Sequence, residues 1–295
     1  MPTSKPDRSS GDLRSRLQRL GVVRGRDVTP PPVERPSASS SRRRAGDIHE
    51  IMDGEQVSTP AGECFVVREL FTTDTPHGPL ALGAWLDQPS DTLAHIGDVP
   101  ALAPVAPADY LFLDTETTGL GGSGTLVFEV GVGFFNAEGQ FELRQYFLRD
   151  PADEPAMLEL LHDLIRQHEA LVTFNGRTFD VPLLTDRYLL NRRRTALGAI
   201  PNLDLLPPAR RLWKRRLPSC ALGALEGDIL NIQRTEQDVP GSLIPYLYQQ
   251  YLRTRDARDM ARVLYHNRLD LLSMVTLGAT IAQTFARAAH QPLPI

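Results

Sequence analysis

Short apolar runs alternate with helical repeats from residue 110 onward, and this pattern predicts an α/β domain. The runs at 110–113, 126–135 and 141–148 predict three consecutive strands, the last two joined by a turn at 136–139. Apolar positions then recur at helical spacing over 155–168, which predicts the first helix of the domain.

The rest of this domain continues the alternation. Residues 170–174 predict a short strand, 179–191 a helix and 203–206 a fifth strand. After that the pattern is helical and ends in a long helix over about 256–287. Three hairpin-like strands followed by alternating helices and strands predict a mixed five-stranded sheet with helices on both faces.

The pattern is weaker upstream of this domain. Residues 61–107 contain short apolar stretches separated by turn residues, which predict a small β-rich extension and a connector. Residues 1–60 are rich in Arg, Ser and Pro in their first part, and we expect them to form a disordered basic tail. Leucines share one helical face over 13–20, which predicts a short amphipathic helix inside the tail. The main domain is therefore expected to occupy 108–290.

Composition narrows the class of protein. With 41% hydrophobic and 23% charged residues, the 295-residue chain has an ordinary globular composition. No run approaches eighteen uninterrupted apolar residues, and the Arg-rich beginning lacks the apolar core of a secretory signal. The two cysteines fit a reducing compartment better than a disulfide framework. We therefore expect a cytoplasmic protein that does not enter a membrane.

Charge is unevenly distributed along the chain. Residues 1–45 contain eleven Lys or Arg and four Asp or Glu, a net +7, whereas the other 21 basic and 32 acidic residues give −11. This asymmetry indicates a basic tail on an acidic body. The helix predicted within the tail is either transient and without a role, or it docks on nucleic acid or on a protein partner.

Two carboxylates follow the first predicted strand of the main domain. Asp114 and Glu116 are two residues apart, so their side chains point to the same face of the strand. At a separation of roughly 4 Å and an intermediate dielectric, they would repel by on the order of 4 kcal/mol. A cation has to offset that repulsion, and carboxylate oxygens favour Mg²⁺ or Mn²⁺. The alternative is a solvated strand end with two unconnected acids.

Two further acids lie on predicted helices. Asp180 stands two residues before Pro182 at a helix start, where it caps the helix, faces a metal at the end of the sheet, or does both. Asp270 lies in the apolar final helix, where a buried charge needs a partner. His266 is one turn earlier on the same face, so the two form either a structural pair or part of a reactive site.

Together, the four acids and the histidine fit a two-metal phosphodiesterase. In such a site two divalent ions hold the attacking and leaving oxygens in line, and a base takes the proton of the attacking water. Histidine suits the role of the base because its ordinary pKa lies near neutral pH.

The motifs around these acids resemble a known family. The segment Asp114-Thr115-Glu116-Thr117-Thr118-Gly119-Leu120 resembles the first exonuclease motif of the DnaQ-like superfamily, whose fold is ribonuclease H-like. Residues 175–180 resemble the second motif, and 266–270 occupy the place of the third. From about residue 62 to residue 277 the chain resembles the bacterial YprB-like ribonuclease H-like domain proteins. The segments 217–222, 238–241 and 265–267 also support this resemblance.

This resemblance implies a 3′→5′ exonuclease of the Asp-Glu-Asp-Asp type that uses two Mg²⁺ or Mn²⁺ ions. It implies four metal ligands: Asp114, Glu116, Asp180 and Asp270. It also implies contacts with the 3′-terminal nucleotide or the strand, from Thr117, Thr118, Leu120 and Asn175.

The third motif departs from the two best-known patterns of the family. One pattern places His five residues before the acid, and the other places Tyr four residues before it. Here Tyr265 stands five residues before Asp270 and His266 stands four before it. We favour His266 as the general base, because the i, i+4 relation projects it beside Asp270. Tyr265 is the alternative.

Nine basic residues cluster between 187 and 216 in a domain that is otherwise acidic. We expect part of this cluster to contact nucleic-acid phosphates, principally Arg210, Arg211 and Lys214. Trp213, within the cluster, either stacks a base or packs in the core.

Two other functions remain open at this point. One is a catalytically silent nucleic-acid-binding module that keeps the fold, and the other is a structure-specific endonuclease with the same metal chemistry. The presence of all four acids favours an active enzyme, and a circular single-stranded substrate separates an exonuclease from an endonuclease.

Overall fold

The computed structural model describes residues 46–119 and 124–290, and within them strands and helices alternate as the sequence predicts. The strands are β1 (Gly54–Thr59), β2 (Gly62–Phe71), β3 (Pro76–His77), β4 (Leu80–Ala81), β5 (Tyr110–Thr117), β6 (Val127–Phe135), β7 (Phe141–Phe147), β8 (Ala170–Thr173) and β9 (Asn202–Asp204). The α-helices are α1 (Ile48–Ile51), α2 (Ser90–Gly97), α3 (Glu154–Ile165), α4 (Asp180–Leu190), α5 (Leu206–Trp213), α6 (Leu222–Asp228), α7 (Ile244–Thr254) and α8 (Arg258–His290).

The main sheet is mixed and has the strand order β1-β2-β7-β6-β5-β8-β9. The central strand β5 pairs antiparallel with β6 and parallel with β8. The predicted α/β, ribonuclease H-like fold class is confirmed, with two more strands in the sheet than the five expected. The added strands, β1 and β2, form a hairpin that pairs with the edge of β7. That pairing satisfies backbone groups which an open edge would expose.

The region before the main domain differs from expectation in two respects. Residues 46–60, which we assigned to the disordered tail, form α1 and β1. The sequence of β1 is largely polar, so its pairing with β2 leaves little trace in the hydrophobic pattern. The extension at 61–107 contains helix α2 as well as strands, so it is less β-rich than predicted. The amphipathic helix expected at 13–20 lies outside the described residues.

Two hydrophobic cores lie on opposite faces of the sheet. Leu111 belongs to the core that includes residues of α3, α4 and α7, whereas its neighbour Phe112 belongs to the core that includes residues of α2, α5 and α6. The long helix α8 contributes to both, with Leu264 in the first core and Leu271 in the second. Between these two positions lies the segment 266–270, which is polar except for Leu269. In this part of the protein α8 contacts β5 and β6.

Helix α8 is also long and apolar enough, over Arg258–Arg287, to cross a membrane by the criteria of length and composition. However, 61% of its most apolar window is buried inside the protein. A helix that packs into two cores is expected to be apolar around most of its circumference, so packing accounts for its hydropathy.

Candidate active site

Asp114 and Glu116 lie near the carboxyl end of β5, which pairs with the neighbouring strand β6. In the register of these two strands, Asp114 is opposite Gly131 and Glu116 is opposite Glu129. Burial raises the pKa of both Asp114 and Glu116 well above the ordinary range for carboxylic acids. Repulsion from neighbouring carboxylates raises both pKa values further, with Asp180 and Asp270 contributing in each case. Asp180 and Asp270 are therefore near enough to raise the pKa values of the two acids on β5.

Asp180 is the first residue of α4 and is 5% exposed. Phe179 occupies the cap position of this helix and makes no side-chain capping bond, so Asp180 is not the cap residue. The Thr115 hydroxyl on β5 donates a hydrogen bond to Asp180 Oδ1. Burial raises the pKa of Asp180 to about 6, although the Thr115 bond lowers it. Asp180 is thus fixed against the strand that carries Asp114 and Glu116.

Asp270 and His266 come from the polar segment of α8 and face the same site. His266 Nε2 lies 3.8 Å from Asp270 Oδ2 and 4.0 Å from Glu116 Oε1. Burial raises the pKa of Asp270, while Arg234 and His266 lower it. The histidine therefore links the acid of the helix to an acid of the sheet.

Arg234 supplies a cation that the sequence patterns did not predict. Its Nε and Nη2 donate to the two oxygens of Glu226, at 2.6 and 2.7 Å, and Glu226 is only 1% exposed. Nη2 also donates to Asp270 Oδ1. This bidentate ion pair fixes the guanidinium beside Asp270.

Asp238 and Arg234 both contact Nδ1 of the His266 ring. Asp238 Oδ1 lies 2.7 Å from His266 Nδ1, and Arg234 Nη1 lies 3.0 Å from that same nitrogen. A guanidinium can only donate and a carboxylate can only accept, so a ring protonated at Nδ1 donates to Asp238, whereas a ring with a lone pair at Nδ1 accepts from Arg234. In the first of these neutral forms, Nε2 carries the lone pair and faces Glu116 and Asp270.

A row of three residues, two polar and one glycine, crosses three neighbouring strands at the level of Asp114. The register places Asp114 on β5, Gly131 on β6 and Gln145 on β7 side by side. Asn267 of α8, which is fully buried, covers Gly131: its Nδ2 donates to Asp114 Oδ2 at 2.8 Å and its Oδ1 accepts from Gln145 Nε2 at 3.0 Å. A Cβ on residue 131 would lie 1.9 Å from Asn267 Oδ1, so the close approach requires glycine.

Glu129 is a fifth buried acid beside this row. It is fully buried, and its Oε1 accepts a hydrogen bond of 2.8 Å from Gln145 Nε2. Burial raises its pKa to about 8, although the bond from Gln145 lowers it. Its Oε2 is buried with no hydrogen-bond partner among the described residues. A protonated Glu129 at neutral pH avoids adding one more negative charge to the site.

The donor chemistry of the site fits a hard divalent cation. As the side chains stand, no three His, Cys, Asp or Glu residues within 46–119 and 124–290 are grouped closely enough to hold a metal ion. Hydrogen bonds to Asn267, Thr115 and Arg234 each engage one of the acids. Yet four desolvated carboxylates with raised pKa values are an arrangement that an oxygen-binding cation would stabilise.

The residues expected to contact the terminal nucleotide have local structural partners. The Thr117 hydroxyl donates to Gly119 O at 2.6 Å, and the Thr118 hydroxyl accepts from Leu126 N at 3.0 Å. Both therefore shape the turn that follows β5. Leu120 lies outside the described residues.

Asn175 is exposed and adopts a left-handed conformation with φ of 67°. Its backbone N–H donates to Asp204 Oδ1 at 2.8 Å, and Asp204 also accepts from Arg177 N at 3.2 Å. The turn between β8 and α4 is thus built around Asp204, and this turn leads directly to Asp180.

The basic cluster is only partly available to phosphates. Arg210, Arg211 and Lys214 are exposed, and the Arg211 guanidinium also donates to Ile96 O and lies 5.4 Å from the Phe285 ring. Contacts of these three residues with phosphates stay a prediction. Base stacking by Trp213 is wrong, because this side chain is 8% exposed and packs in a core.

Several residues of the site were not singled out from the sequence. Arg234 and Glu226 lie outside the three motifs, and no pattern marks them. Glu129 and Gly131 had a detectable signal, since a charge and a glycine interrupt an otherwise apolar strand.

Comparison with known proteins places the chain in a family. The family model described as RNase_H superfamily matches residues 111–282, more than half of the chain. The chain therefore belongs to the RNase_H superfamily, and this membership supports a nuclease-type function.

Within that superfamily it resembles the YprB-like ribonuclease H-like domain proteins. It is 36% identical over 183 residues to the uncharacterized protein YprB of Bacillus subtilis (strain 168). The match covers 61% of this chain and 44% of YprB, so the chain spans less than half the length of that relative.

Two solved structures are similar at low identity. One is the family B DNA polymerase from the hyperthermophilic archaeon Pyrobaculum calidifontis, with 19% identity, a TM-score of 0.43, and coverage of 60% of this chain and 24% of the polymerase. The other is E. coli Exonuclease I in complex with a dT13 oligonucleotide, with 16% identity, a TM-score of 0.34, and coverage of 53% and 43%.

The raised pKa values predict how stability depends on pH. Folded Asp180 and Glu129 release their protons near pH 6 and 8, whereas the unfolded chain releases them near about 3.9 and 4.3. Between these limits the folded state binds more protons, so the free energy of unfolding of metal-free protein falls as pH rises. Thermal unfolding in chelator at about pH 5 and about pH 8 measures this difference.

Two further measurements test whether the raised pKa values of these carboxylates cause the loss of stability at higher pH. Mg²⁺ should raise the unfolding midpoint more at about pH 8 than at about pH 5, because protons compete for the carboxylates. Glu129→Gln resembles the protonated acid and should reduce the loss of stability at the upper end of the range. A midpoint that rises steadily up to about pH 8 in chelator would contradict the assignment.

Proposed function

We propose that this protein is a metal-dependent 3′→5′ exonuclease that hydrolyses phosphodiester bonds of nucleic acid. The observation that carries the proposal is a set of four carboxylates from β5, α4 and α8, one buried and three partly buried, whose pKa values are all raised by desolvation. Burying several like charges together is costly and does little for folding. Such an arrangement is typical of a site that binds divalent cations.

We propose Asp114, Glu116, Asp180 and Asp270 as the ligands of two Mg²⁺ or Mn²⁺ ions. When bound, these ions would supply charge neutralisation and Lewis-acid stabilisation of the attacking and leaving oxygens. The residues of the chain prepare the ligands for this role. Asn267 holds one oxygen of Asp114, Thr115 holds one oxygen of Asp180, and Arg234 holds one oxygen of Asp270.

His266 is proposed as the general base. Its Nε2 faces the acids of the site, and in the form whose Nδ1–H donates to Asp238 the ring presents a lone pair where a water proton would be accepted. Tyr265 is less suited to this role, because it lies on a different face of α8 from Asp270. Its hydroxyl lies 3.2 Å from Thr235 Oγ1.

The proposal is tested with 5′-end-labelled, single-stranded DNA and RNA incubated with purified protein and Mg²⁺ or Mn²⁺. We expect shortening of the strand from its 3′ end, and no shortening when a chelator is present. A blocked 3′ end should slow the reaction, and circular single strands should stay intact. Cleavage of the circles would instead indicate an endonuclease, and binding without any turnover would indicate a silent nucleic-acid-binding module.

The assignment of the base gives a separate prediction. His266→Ala should lower the turnover number by about 10²–10⁴-fold, the usual contribution of a general base. Asp238→Asn should cause a smaller loss, since an amide cannot hold the Nδ1–H form of the ring as firmly. Steady-state hydrolysis of a labelled strand under saturating Mg²⁺ measures both effects. If Tyr265→Phe lowers turnover more than His266→Ala, the base is Tyr265.

A further inference from the structure

A cavity of about 350 Å³ lies beside α8, on a face of the helix different from the one that carries His266 and Asp270. Met52 and Leu264 contribute apolar surface to it, and the ring of Tyr265 forms part of its wall. The rest of the lining is mostly polar and includes Gln237, Arg262 and Arg268. The Arg268 guanidinium lies over one face of the Tyr265 ring, 4.9 Å from its centroid. The cavity therefore combines an aromatic ring, apolar surface and guanidinium groups.

One cation of this cavity, Arg268, has unused hydrogen-bonding capacity. Arg268 donates from Nη1 to Glu69 Oε2 at 2.9 Å, but its Nε is buried and has no acceptor among the described residues. A buried donor without a partner is rare and points to an acceptor that is still to arrive. The Arg262 side chain is 43% exposed, its Nε and Nη2 hold the backbone oxygens of Gln237 and Asp238, and its Nη1 lies 3.3 Å from Asp259 Oδ1. The lining itself contains two guanidiniums and one carboxylate, Glu69, which pairs with Arg268.

The cavity shares two walls with the carboxylate site. In the loop before α7, Arg234 and Asp238 contact His266, whereas Gln237 lines the cavity. In α8, Tyr265 faces the cavity while its neighbour His266 faces the acids. The two sites therefore lie on neighbouring faces of α8 and share the loop before α7.

We infer that this cavity binds a nucleotide, with its base against the face of Tyr265 that Arg268 leaves uncovered and its phosphate toward Arg262 and Arg268. The inference rests on the proposed function, because a nucleic-acid enzyme meets nucleotides both in its substrate and as its product. Aromatic side chains stack bases of any sequence, and guanidinium groups bind phosphate oxygens through several donors. The volume lies at the lower end of the range for small-ligand pockets, about 300–1,000 Å³, which suits one nucleotide and excludes a duplex.

Binding is measured on full-length protein carrying Asp180→Asn, in chelator, so that neither hydrolysis nor metal contributes. Fluorescence anisotropy of a labelled oligothymidylate follows the strand, and calorimetry with thymidine monophosphate follows the free nucleotide. We expect Tyr265→Ala and Arg262→Gln each to weaken strand binding by roughly tenfold, and Tyr265→Phe to leave it near the parent value. A 4-thiothymidine oligonucleotide should crosslink on irradiation to a peptide containing residues 261–268.

A matched control is Tyr246→Ala, because Tyr246 is 56% exposed on α7 and does not line the cavity. If Tyr265→Ala weakens binding of both the oligothymidylate and thymidine monophosphate, the cavity binds free nucleotides as well as nucleotides of a strand. If it weakens binding of the oligothymidylate alone, the cavity binds a nucleotide of the substrate strand. The inference is overturned if Tyr265→Ala and Arg262→Gln bind like Tyr246→Ala, or if crosslinks fall elsewhere. Hydrolysis by otherwise unmodified protein is assayed separately, so failure of the exonuclease proposal with intact, Tyr265-dependent binding is recognised as such.

Discussion

Asp180→Asn is expected to lower hydrolysis by on the order of 10³-fold or more, which corresponds to several kcal/mol of transition-state stabilisation. The asparagine keeps an oxygen that can accept from the Thr115 hydroxyl, so the contact between β5 and α4 is preserved. What is lost is one negative charge among the four proposed metal ligands. Because that charge is buried and its pKa is raised to about 6 by burial, its removal should also stabilise the metal-free protein at neutral pH.

The control for this variant is Asp186→Asn, which changes an exposed acid of the same helix. It should hydrolyse and unfold like the parent protein. Turnover of labelled strands and thermal unfolding in chelator are measured for both variants and for the parent. A wild-type rate for Asp180→Asn would remove Asp180 from the site. A large loss of stability would mean that its role is structural.

The sequence predicted the elements that have a strong period and the acids that interrupt them. The buried runs of β5, β6 and β7 and the helical spacing of α3 and α8 follow directly from apolar periodicity. Asp114 and Glu116 could be recognised because charges at the end of a buried strand need a physical reason. The same logic applied to Asp270 in an apolar helix.

The sequence could not predict contacts that depend on the register of the sheet or on loops. Strand β1 is polar and short of apolar alternation, so only its pairing with β2 makes it a strand. Arg234 sits in a loop without a recognisable pattern, and its role follows from Glu226 and Asp270, which are eight and 36 positions away. Trp213 could be placed in the core only once the packing of α5 was known.

Asn267 illustrates the same limit within a recognised motif. The motif drew attention to His266 and Asp270, but the residue between them bonds to Asp114 only because Gly131 lies below it. The register that brings Asp114, Gly131 and Gln145 into one row is a property of the folded sheet. No spacing along the chain specifies it.

Gly131→Ala tests this arrangement and should be among the most damaging substitutions in the protein. The added Cβ would lie 1.9 Å from Asn267 Oδ1 and 2.7 Å from its Cγ, and Asn267 is fully buried. Displacement of the amide leaves Asp114 without its donor and Gln145 without one of its acceptors. Overpacking and unpaired buried polar groups together should cost about 3 kcal/mol or more of unfolding free energy, and hydrolysis should fall with the loss of Asp114 positioning.

Denaturant unfolding and strand hydrolysis measure the two effects, with Gly227→Ala as the control. A Cβ on Gly227, in helix α6, would meet nothing within 4 Å, so alanine should be neutral or stabilising there. The steric cause is isolated by adding Gly131→Ala to Asn267→Ala, where the methyl group no longer meets the amide. If the added methyl group costs as much stability in the Asn267→Ala background as in the parent, the clash with Asn267 does not cause the loss of stability. This follows because two substitutions whose residues interact are expected to have non-additive effects. If the added cost largely disappears, the glycine is there to let α8 place its amide on Asp114.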